Sequence, residues 1–344
     1  MELISVDTGG SGSRIYLGYN WENVREMLPG KSVIIITDNN VYDLYSDRFP
    51  PYRVLKLAPG EESKQLDTIR YLAEELLNSG IDRTGFILGI GGGVVCDITG
   101  FLASVFMRGV SFGFVSTTLL SQVDASTGGK NGVNLGEVKN VIGNFRQPEF
   151  VICDTAILKT LPDEEYLSGL AELIKTGIIG DVTIIDILED KYDSVLKRDT
   201  RVLSELLVRS VKYKASVVSQ DEKETGLRRV LNFGHTFGHA FELHLGIKHG
   251  IAVASGMELA AAWSKELGYL ENVHYERIIN ILKKYCLLTG YSIPSGVMEE
   301  LIRHDKKKAG TDIHFVFIEE PGKPLVKRLP VKEVIDFYRR INNR

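Results

Sequence analysis

The sequence predicts an α/β protein of two domains, in which an N-terminal doubly wound, Rossmann-like domain (residues 1–160) precedes a C-terminal, mainly α-helical, metal-binding domain (residues 161–344). Three observations lead to this prediction. Short β-rich runs alternate with helical stretches in the first half, which is typical of a parallel sheet covered by helices. No proline occurs between Pro162 and Pro294, where leucine, glutamate, lysine and alanine dominate, as expected for a helical domain. Four of the seven histidines lie close together in that second half.

Length and composition set the broad class of the protein. With 344 residues, of which 44% are hydrophobic and 25% charged, the chain is long enough for two hydrophobic cores. A net charge of −4 with scattered basic residues argues against a nucleic-acid partner. No apolar run reaches the roughly 20 residues that cross a bilayer, and the N-terminal residues do not resemble a signal peptide. We therefore expect a cytoplasmic protein without a membrane partner.

The three cysteines are expected to be buried thiols. Cys96, Cys153 and Cys286 are odd in number, far apart and without a CxxC pair. Such a pattern predicts neither a disulfide framework nor a thiolate metal site.

The elements of the first domain follow from apolar runs and turn residues. Ser63 is placed to cap a helix whose apolar positions, from Leu66 to Leu77, recur at helical spacing until Gly80 ends it. This helix lies between two predicted strands and completes a βαβ unit. The predicted strands of the sheet are residues 33–37, 53–57, 86–90, 112–116 and 150–153.

The end of the chain predicts a small hairpin and a last helix. Residues 313–318 and 325–329 are expected to form strands, and they flank the turn residues 320–323, Glu-Pro-Gly-Lys. The last helix is expected to begin at Val331.

A glycine-rich turn in the first domain is the candidate nucleotide site. Residues 86–97, FILGIGGGVVCD, read as a buried strand that runs into three glycines and then a helix. Glycines there let a pyrophosphate approach the backbone and the positive end of the helix. The spacing departs from the common GxGxxG fingerprint, and a tight turn without a ligand is the alternative interpretation. Asp38 and Asn40 follow a strand where an acidic residue can bind a ribose hydroxyl, or they are turn residues.

The histidine cluster of the second half predicts a metal site. His235, His239, His244 and His249 fall within one short stretch without nearby cysteines. Histidine combined with carboxylate fits a catalytic zinc that keeps an open position. His235 and His239 are four residues apart, so on a helix both face the same side. A structural role is the alternative for each histidine.

A charged pair is expected on the helix that follows Pro162. Glu172 and Lys175 are three residues apart in the sequence GLAELIKTG, where leucine, alanine and isoleucine surround them. An exposed salt bridge would explain the spacing equally well. The apolar neighbours argue instead for a carboxylate that requires a cation.

A polar, glycine-rich stretch between Asp124 and Asn144 is too irregular for a helix and is expected to be a loop. Such a loop can present ammonium and amide groups to a phosphate or carboxylate. A mobile surface loop is the alternative, although long loops in compact domains are often functional. Its lysines and asparagines include Lys130, Asn131, Lys139 and Asn140.

Together these segments resemble the 3-dehydroquinate synthases of the sugar phosphate cyclase family. The resemblance extends from about Asp38 to about Gly310, and its most specific stretches are GGGVVCDITGFLASVFMRG, TTLLSQVDASTGGKNGVN, GLAELIKTG and LNFGHTFGHAFE. It implies a dehydroquinate synthase-like fold, bound NAD, a zinc ion that cobalt can replace, a small-molecule sugar phosphate substrate and a homodimer.

The resemblance assigns roles to individual residues. The implied metal ligands are Glu172, His235 and His249, so that of the spaced histidine pair only His235 would bind metal. The implied catalytic residues are Lys130, His239, Lys175, Asn140 and Arg108. The implied cofactor-binding residues are Asp38, Asn40, Glu61, Lys64, Gly92, Gly93, Val94, Asp97, Thr117, Thr118, Leu120, Asp124, Lys130, Lys139, Thr160 and Leu161. The implied substrate-binding residues are Arg108, Asp124, Lys130, Asn140, Lys175, Lys214, Arg228, Asn232, His239 and one lysine of the 306–308 run, taken as Lys307.

The reaction implied by the resemblance is the conversion of 3-deoxy-D-arabino-heptulosonate 7-phosphate into 3-dehydroquinate and phosphate, a carbon–oxygen lyase step of the shikimate pathway for aromatic amino acids. NAD would take a hydride from C5 and return it after phosphate has left, and an intramolecular aldol step would close the ring. Lys130, Asn140 and Arg108 are expected to bind the phosphate. Arg228 and Lys214 are expected to bind the carboxylate, for which arginine has a suitable bidentate geometry.

Three alternatives are left open by the sequence. Another sugar phosphate cyclase, such as an amino-dehydroquinate synthase, would act on a related substrate. A metal-dependent polyol or glycerol phosphate dehydrogenase would share the two-domain layout but release NADH. A catalytically inactive scaffold is expected to lack the metal ligands, which this chain retains. One departure from the family bears on substrate choice, because the usual His-Gly-Glu is His249-Gly250-Ile251 here, and a carboxylate beside the metal is lost.

Overall fold

The computed structural model describes residues 1–8, 12–30, 32–136, 138–306 and 312–342. The chain folds into two compact units. The first consists of Met1–Leu161 with Arg198–Lys223, and the second of Pro162–Lys197 with Glu224–Arg344. The segment 198–223 therefore groups with the first unit, although the sequence analysis placed it in the second.

The described residues form eleven strands and twelve α-helices. The strands are β1 (Glu2–Asp7), β2 (Gly12–Leu17), β3 (Val33–Asp38), β4 (Arg53–Leu57), β5 (Phe86–Gly91), β6 (Ser111–Ser116), β7 (Lys130–Leu135), β8 (Val138–Phe145), β9 (Phe150–Cys153), β10 (Asp312–Glu320) and β11 (Lys323–Pro330). The helices are α1 (Asn39–Tyr45), α2 (Leu66–Asn78), α3 (Gly93–Val105), α4 (Asp163–Ile179), α5 (Thr183–Asp190), α6 (Tyr192–Leu196), α7 (Thr200–Gln220), α8 (His235–Leu245), α9 (His249–Glu266), α10 (Asn272–Lys284), α11 (Ser295–Lys306) and α12 (Val331–Asn342). Short 3-10 helices cover Trp21–Met27, Ser46–Arg48, Glu61–Ser63, Phe106–Arg108, Thr155–Thr160 and Leu227–Asn232.

The first unit is built around a seven-stranded sheet with the order β1-β2-β9-β6-β5-β3-β4. All neighbouring strands are parallel except β1 and β2. The predicted parallel sheet is therefore confirmed, with β1 and β2 as an unpredicted addition at one edge. Strands β3 and β5 lie almost completely buried, which explains their unbroken apolar sequences. Because parallel strands end at the same edge, the residues that follow β3, β5 and β6 lie along one side of the sheet.

Helix α7 groups with the first unit because it packs there. The backbone N–H of Asp7, on β1, donates to the Ser219 hydroxyl at 3.3 Å. The ammonium group of Lys214 donates to the carbonyl and the carboxylate of Asp124. Helical periodicity alone does not say which neighbour a helix covers, so this assignment required the structure.

The predicted cap of α2 is wrong, whereas its predicted end is confirmed. Ser63 lies in a preceding 3-10 helix and donates its hydroxyl to the Ala58 carbonyl at 2.6 Å. Gln65 is the N-cap residue, without a side-chain capping bond. Gly80, with a φ of 70°, follows the helix in the left-handed conformation that favours glycine.

The polar stretch after Asp124 is not an irregular loop. A π-helical turn (Ser121–Ala125) leads into β7 and β8, which form an antiparallel two-stranded sheet. Gly132 and Gly143 face each other across this pair, and a Cβ atom added at Gly132 would lie 2.8 Å from the Ile142 carbonyl oxygen. The glycines that made the stretch read as a loop therefore allow two strands to approach closely.

The second unit is mainly helical, as predicted. The expected hairpin is confirmed as β10 paired with β11, and the last helix begins at Val331. Aromatic side chains fill the core, where Trp263 of α9 stacks on Phe337 of α12 with ring centroids 4.6 Å apart. Phe315 of β10 packs edge-on against the same tryptophan.

The cysteine prediction is partly wrong. Cys96 and Cys153 are buried thiols, but Cys286 is exposed and has a φ of 55° just after α10.

No described helix combines the length and the apolar composition that crossing a bilayer requires.

Candidate active site

The glycine-rich turn of the first unit joins β5 to α3. Gly92 is the N-cap residue of α3, and no side chain in the described part of the chain caps this helix. A Cβ atom added at Gly92 would lie 2.9 Å from the Thr118 methyl carbon, and one at Gly93 would lie 3.2 Å from the Ala125 Cβ. The turn therefore excludes side chains and presents the first backbone N–H groups of α3, an arrangement that binds anions well.

A buried lysine lies beside this turn. Lys64, only 4% exposed, pairs with Asp97 of α3 at 2.5 Å and with Glu61 at 3.8 Å. Burial raises the pKa of Asp97, while the nearby Lys64 acts in the opposite direction. Three of the predicted cofactor residues thus form one charged cluster in the first unit.

Asn134, on β7, organises this cluster and was missed by the sequence analysis. Its N–H donates to the Lys64 carbonyl at 2.7 Å, and its side-chain amide donates to Glu61 at 2.9 Å. Its side-chain oxygen accepts from the backbone N–H of Asn140 at 2.8 Å. Asn134 reaches these partners because β7 pairs with β8 and because Asn134 forms a β-bridge with Gln65. Sequence spacing does not reveal either pairing.

Asp38 acts as a helix cap. It ends β3, and its carboxylate accepts from the Val41 N–H at 3.0 Å at the start of α1. Burial raises the pKa of Asp38. The turn role considered for Asp38 is therefore present, and ribose binding by Asp38 and Asn40 stays a prediction.

The other cofactor candidates lie in the same unit: Val94 on α3, Thr117, Thr118 and Leu120 after β6, Asp124 in the π-helical turn, Lys130 on β7, Lys139 on β8, and Thr160 and Leu161 after β9.

Three helices of the second unit bring Glu172, His235 and His249 together. Glu172 lies in the middle of α4, His235 begins α8 and His249 begins α9. The Nε2 atoms of His235 and His249 lie 3.9 Å and 3.6 Å from one carboxylate oxygen of Glu172. Ligands bound at about 2.0–2.2 Å to one zinc ion can be up to about 4.2 Å apart. The donor set therefore fits a single zinc ion.

Hydrogen bonds orient both imidazole rings. The Nδ1 atom of His235 lies 3.2 Å from the Phe233 carbonyl oxygen, and Nδ1 of His249 lies 2.8 Å from a carboxylate oxygen of Glu242. An acceptor at Nδ1 favours the tautomer in which Nε2 has a free lone pair. Both rings can therefore present Nε2 toward Glu172.

The electrostatics of the cluster favour a cation. Burial, together with the positive charge of Lys175, holds the pKa of His235 well below its usual value, so this ring is neutral and ready to bind a metal. Burial alone would lower the pKa of His249, but the neighbouring carboxylates of Glu172 and Glu242 raise that pKa to about 10. The two carboxylates thus stabilise a positive charge at this place.

Glycines let the three ligand-bearing helices approach each other. A Cβ atom added at Gly250, next to His249, would lie 2.6 Å from the Ser168 carbonyl carbon on α4. One added at Gly256 of α9 would lie 2.8 Å from the Gly238 nitrogen of α8. The hydroxyl of Ser168 also accepts from the Gly250 N–H at 3.0 Å. Backbone contacts therefore set the spacing of the metal ligands.

Comparison with known sequences identifies the family. The sequence model of the 3-dehydroquinate synthase N-terminal region matches residues 54–168, and that of the C-terminal region matches residues 169–308. The chain belongs to the 3-dehydroquinate synthase family. A curated 3-dehydroquinate synthase of Thermoanaerobacter pseudethanolicus is 38% identical over 97% of this chain and 99% of its own length.

Solved structures support the fold of this 3-dehydroquinate synthase family member. A crystal structure of 2-deoxy-scyllo-inosose synthase, complexed with carbaglucose-6-phosphate, NAD+ and Co2+, has a TM-score of 0.88 at 25% identity and covers 98% of this chain and 99% of that chain. The structure of ValA, a 2-epi-5-epi-valiolone synthase of Streptomyces hygroscopicus with NAD+ and Zn2+ bound, has a TM-score of 0.87 at 23% identity and covers 99% of this chain and 97% of that chain.

The substrate candidates of the first unit differ in their surroundings. Lys214 is buried and bonded to Asp124, whereas Arg108, Lys130 and Asn140 are exposed. Arg108 and Asn140 have φ values of 67° and 51°. Residues other than glycine seldom adopt this conformation, and those that do are frequent at functional sites.

The substrate candidates of the second unit lie near the metal ligands in the chain. Lys175 is completely buried and pairs with Glu172, so the pair is not an exposed salt bridge. The His239 ring lies 5.2 Å from the His235 ring, centroid to centroid. Arg228 is 2% exposed, and the side-chain amide of Asn232 donates to Glu224. The candidate Lys307 lies outside the described residues.

Two carboxylates near these candidates were missed by the sequence analysis. Glu242 contacts His249, and Glu224 contacts Asn232. A signal for Glu242 exists in the sequence, because it lies three residues after His239 on the same helix and thus on a neighbouring turn. No comparable spacing distinguishes Glu224, which lies in an irregular segment.

Proposed function

We propose that this protein is a 3-dehydroquinate synthase, which converts 3-deoxy-D-arabino-heptulosonate 7-phosphate into 3-dehydroquinate and phosphate with bound NAD and a divalent metal, zinc or cobalt. The observation that carries the proposal is the convergence of Glu172, His235 and His249 in a chain whose two halves both match this family. The structural relative with NAD+ and Co2+ supports the choice of cofactors.

The residues of the second unit would hold the metal and transfer protons. Glu172 and the two imidazoles supply one oxygen and two nitrogens, a set that suits zinc and leaves a position open for substrate oxygens. When bound, the metal would supply polarisation of substrate oxygens, and NAD would supply reversible hydride transfer. We assign proton transfer to His239, which lies one helical turn after His235. Lys175 would balance the charge of Glu172 and bind substrate hydroxyls.

The residues of the first unit would bind the cofactor and the phosphate. We assign the NAD pyrophosphate to the N-terminus of α3, where Gly92 and Gly93 keep side chains away. The cationic Lys130 and Arg108, together with Asn140, are assigned to the substrate phosphate. Lys214 of this unit, together with Arg228 of the second unit, is assigned to the substrate carboxylate.

We also propose that the protein acts as a homodimer in the cytoplasm, within the shikimate pathway. The family resemblance supports this assembly and location. Light scattering during gel filtration tests the dimer, because a single species at the monomer mass of 38.3 kDa would contradict it.

The reaction is tested by phosphate release from the full-length, zinc-loaded protein with catalytic NAD and the heptulosonate phosphate. We expect one phosphate per 3-dehydroquinate, without accumulation of NADH absorbance. His235→Asn removes a proposed ligand and is expected to reduce turnover by at least about 100-fold, since ligand placement governs the reaction. His244→Asn is the matched control, because His244 is exposed on the same helix.

Other outcomes would redirect the assignment. Accumulating NADH would identify a dehydrogenase instead. Phosphate release only from sedoheptulose 7-phosphate or from the amino analogue would identify another sugar phosphate cyclase. No phosphate release from any of the three would reject a cyclase altogether.

A further inference from the structure

Glu242 lies on the side of His249 that faces away from the proposed metal position. One imidazole nitrogen of His249, Nε2, lies 3.6 Å from the Glu172 carboxylate, and the other, Nδ1, lies 2.8 Å from the Glu242 carboxylate. The ring is thus held between two carboxylates from different helices, α4 and α8.

We propose that Glu242 is a positioning residue for the metal site. Its carboxylate accepts a hydrogen bond from Nδ1–H of His249, which fixes the tautomer with Nε2 open to the metal and keeps the ring directed at Glu172. This inference rests on the proposed function, because it requires a metal at Glu172, His235 and His249.

The distances distinguish this role from direct coordination by Glu242. His239, Glu242 and His249 also lie close enough together to be considered as ligands. Two ligand atoms bound tetrahedrally to one zinc ion at about 2.1 Å are roughly 3.4 Å apart. The 2.8 Å between Nδ1 of His249 and Glu242 is too short for that arrangement and matches a charge-assisted hydrogen bond. The 3.6 Å and 3.9 Å separations at Glu172 suit a shared ion instead.

The two histidine ligands therefore differ in their support. The Nδ1 partner of His235 is the neutral carbonyl of Phe233, whereas the Nδ1 partner of His249 is the carboxylate of Glu242. A carboxylate partner makes the imidazole a stronger donor to the metal. Glu242 therefore places a negative charge directly beside His249.

The test measures zinc affinity and the visible absorption spectrum of the cobalt-substituted protein. Competition with a chromophoric chelator is expected to show about 10- to 100-fold weaker zinc binding for Glu242→Ala, the usual range for loss of such a partner. The cobalt spectrum is expected to change, because the ligand geometry is less constrained. Glu242→Gln is expected to lose less affinity, since its amide oxygen still accepts the hydrogen bond. Glu266→Ala is the control, because Glu266 is also a paired helical glutamate, with Arg340 as its partner, but is exposed and lies at the far end of α9.

The outcomes separate this inference from the proposed function. Wild-type zinc affinity and an unchanged cobalt spectrum in Glu242→Ala would overturn the positioning role. Two ions per wild-type chain but one in the variant would overturn it as well, because Glu242 would then be a ligand. If Glu242→Ala does not fold, the same measurements on Glu242→Leu decide, because leucine fills the position without a hydrogen-bond acceptor, and wild-type values there overturn the inference. A wild-type protein that binds no zinc would instead reject the metal site of the proposed function.

Discussion

Replacement of Gly250 by alanine is expected to disrupt the metal site although the residue binds nothing itself. Gly250 is the second residue of α9, directly after His249, and it touches the backbone of Ser168 on α4. Helix α4 also carries Glu172. A methyl group at this contact therefore has to push apart the two helices whose side chains would share the metal.

The structure sets the size of the effect. The added Cβ atom would lie 2.6 Å from the Ser168 carbonyl carbon, whereas carbon atoms normally approach to about 3.5–4.0 Å. The Ser168 carbonyl oxygen lies closer still. The helices must therefore separate by at least about 1 Å, because backbone atoms cannot rotate away as side chains do. If His249 follows this movement, its distance of 3.6 Å from Glu172 rises to about 4.6 Å, beyond the roughly 4.2 Å that one zinc ion can bridge.

Zinc titration and thermal unfolding test this expectation. Gly250→Ala is expected to weaken zinc binding by at least about 100-fold, since a displacement of about 1 Å has effects of that order at catalytic sites. The free energy of unfolding is expected to fall by about 3 kcal/mol, the upper end of the range for overpacked cores. Gly296→Ala is the matched control, because Gly296 is the second residue of α11 and has no atom within 4 Å of its added Cβ.

The control should behave in the opposite way. Alanine is a better helix former than glycine, so Gly296→Ala is expected to keep zinc affinity and to gain up to about 1 kcal/mol of stability. Equal zinc affinity in the two variants would refute the reasoning, because the backbone contact would then not control the ligand spacing.

Two further predictions concern buried groups. Lys175→Met leaves the buried Glu172 without its ammonium partner, so in a metal chelator the free energy of unfolding should fall by about 3–5 kcal/mol. Zinc should then raise the melting temperature of the variant more than that of the wild type, because the metal is the remaining cation beside Glu172. An equal rise would contradict the view that Lys175 and the metal both balance the charge of Glu172. In the native protein, a thiol reagent should label Cys286 rapidly, while burial raises the pKa of Cys96 and Cys153 and protects them. All three thiols should react in denaturant, and fast labelling of more than one in the native state would show that the first unit opens.

Local patterns predicted much of the fold. The central strands were predictable because a strand buried on both faces must be apolar along its whole length, as in residues 33–37 and 86–90. The terminal hairpin followed from its turn residues. Long-range packing was not predictable. The sequence of α7 has an ordinary amphipathic pattern, which does not indicate that the helix contacts Asp124 and β1. Ser63 illustrates the same limit, because its hydroxyl could have capped α2 but instead donates to the Ala58 carbonyl.

The sequence predicted the metal site only to the extent that residue types identify possible ligands. Histidines and carboxylates are rare enough in apolar surroundings to be noticed, but spacing alone did not separate His235 from His239, which share one helix face. The resemblance implies the separation, which stays a prediction. In the structure, the Nε2 atoms of His235 and His249 lie 3.9 Å and 3.6 Å from one carboxylate oxygen of Glu172.

Glycine has two different roles in this chain, and sequence patterns do not tell them apart. At Gly92 the missing side chain leaves backbone N–H groups open for an anion, whereas at Gly250 it lets one helix touch another. The first role acts on a ligand directly, and the second acts through the spacing of His249 and Glu172. A substitution at Gly92 should therefore weaken NAD binding and leave zinc affinity intact, while one at Gly250 should weaken zinc binding first. The metal site is, on this view, as much a property of the backbone contacts between α4, α8 and α9 as of the three ligands.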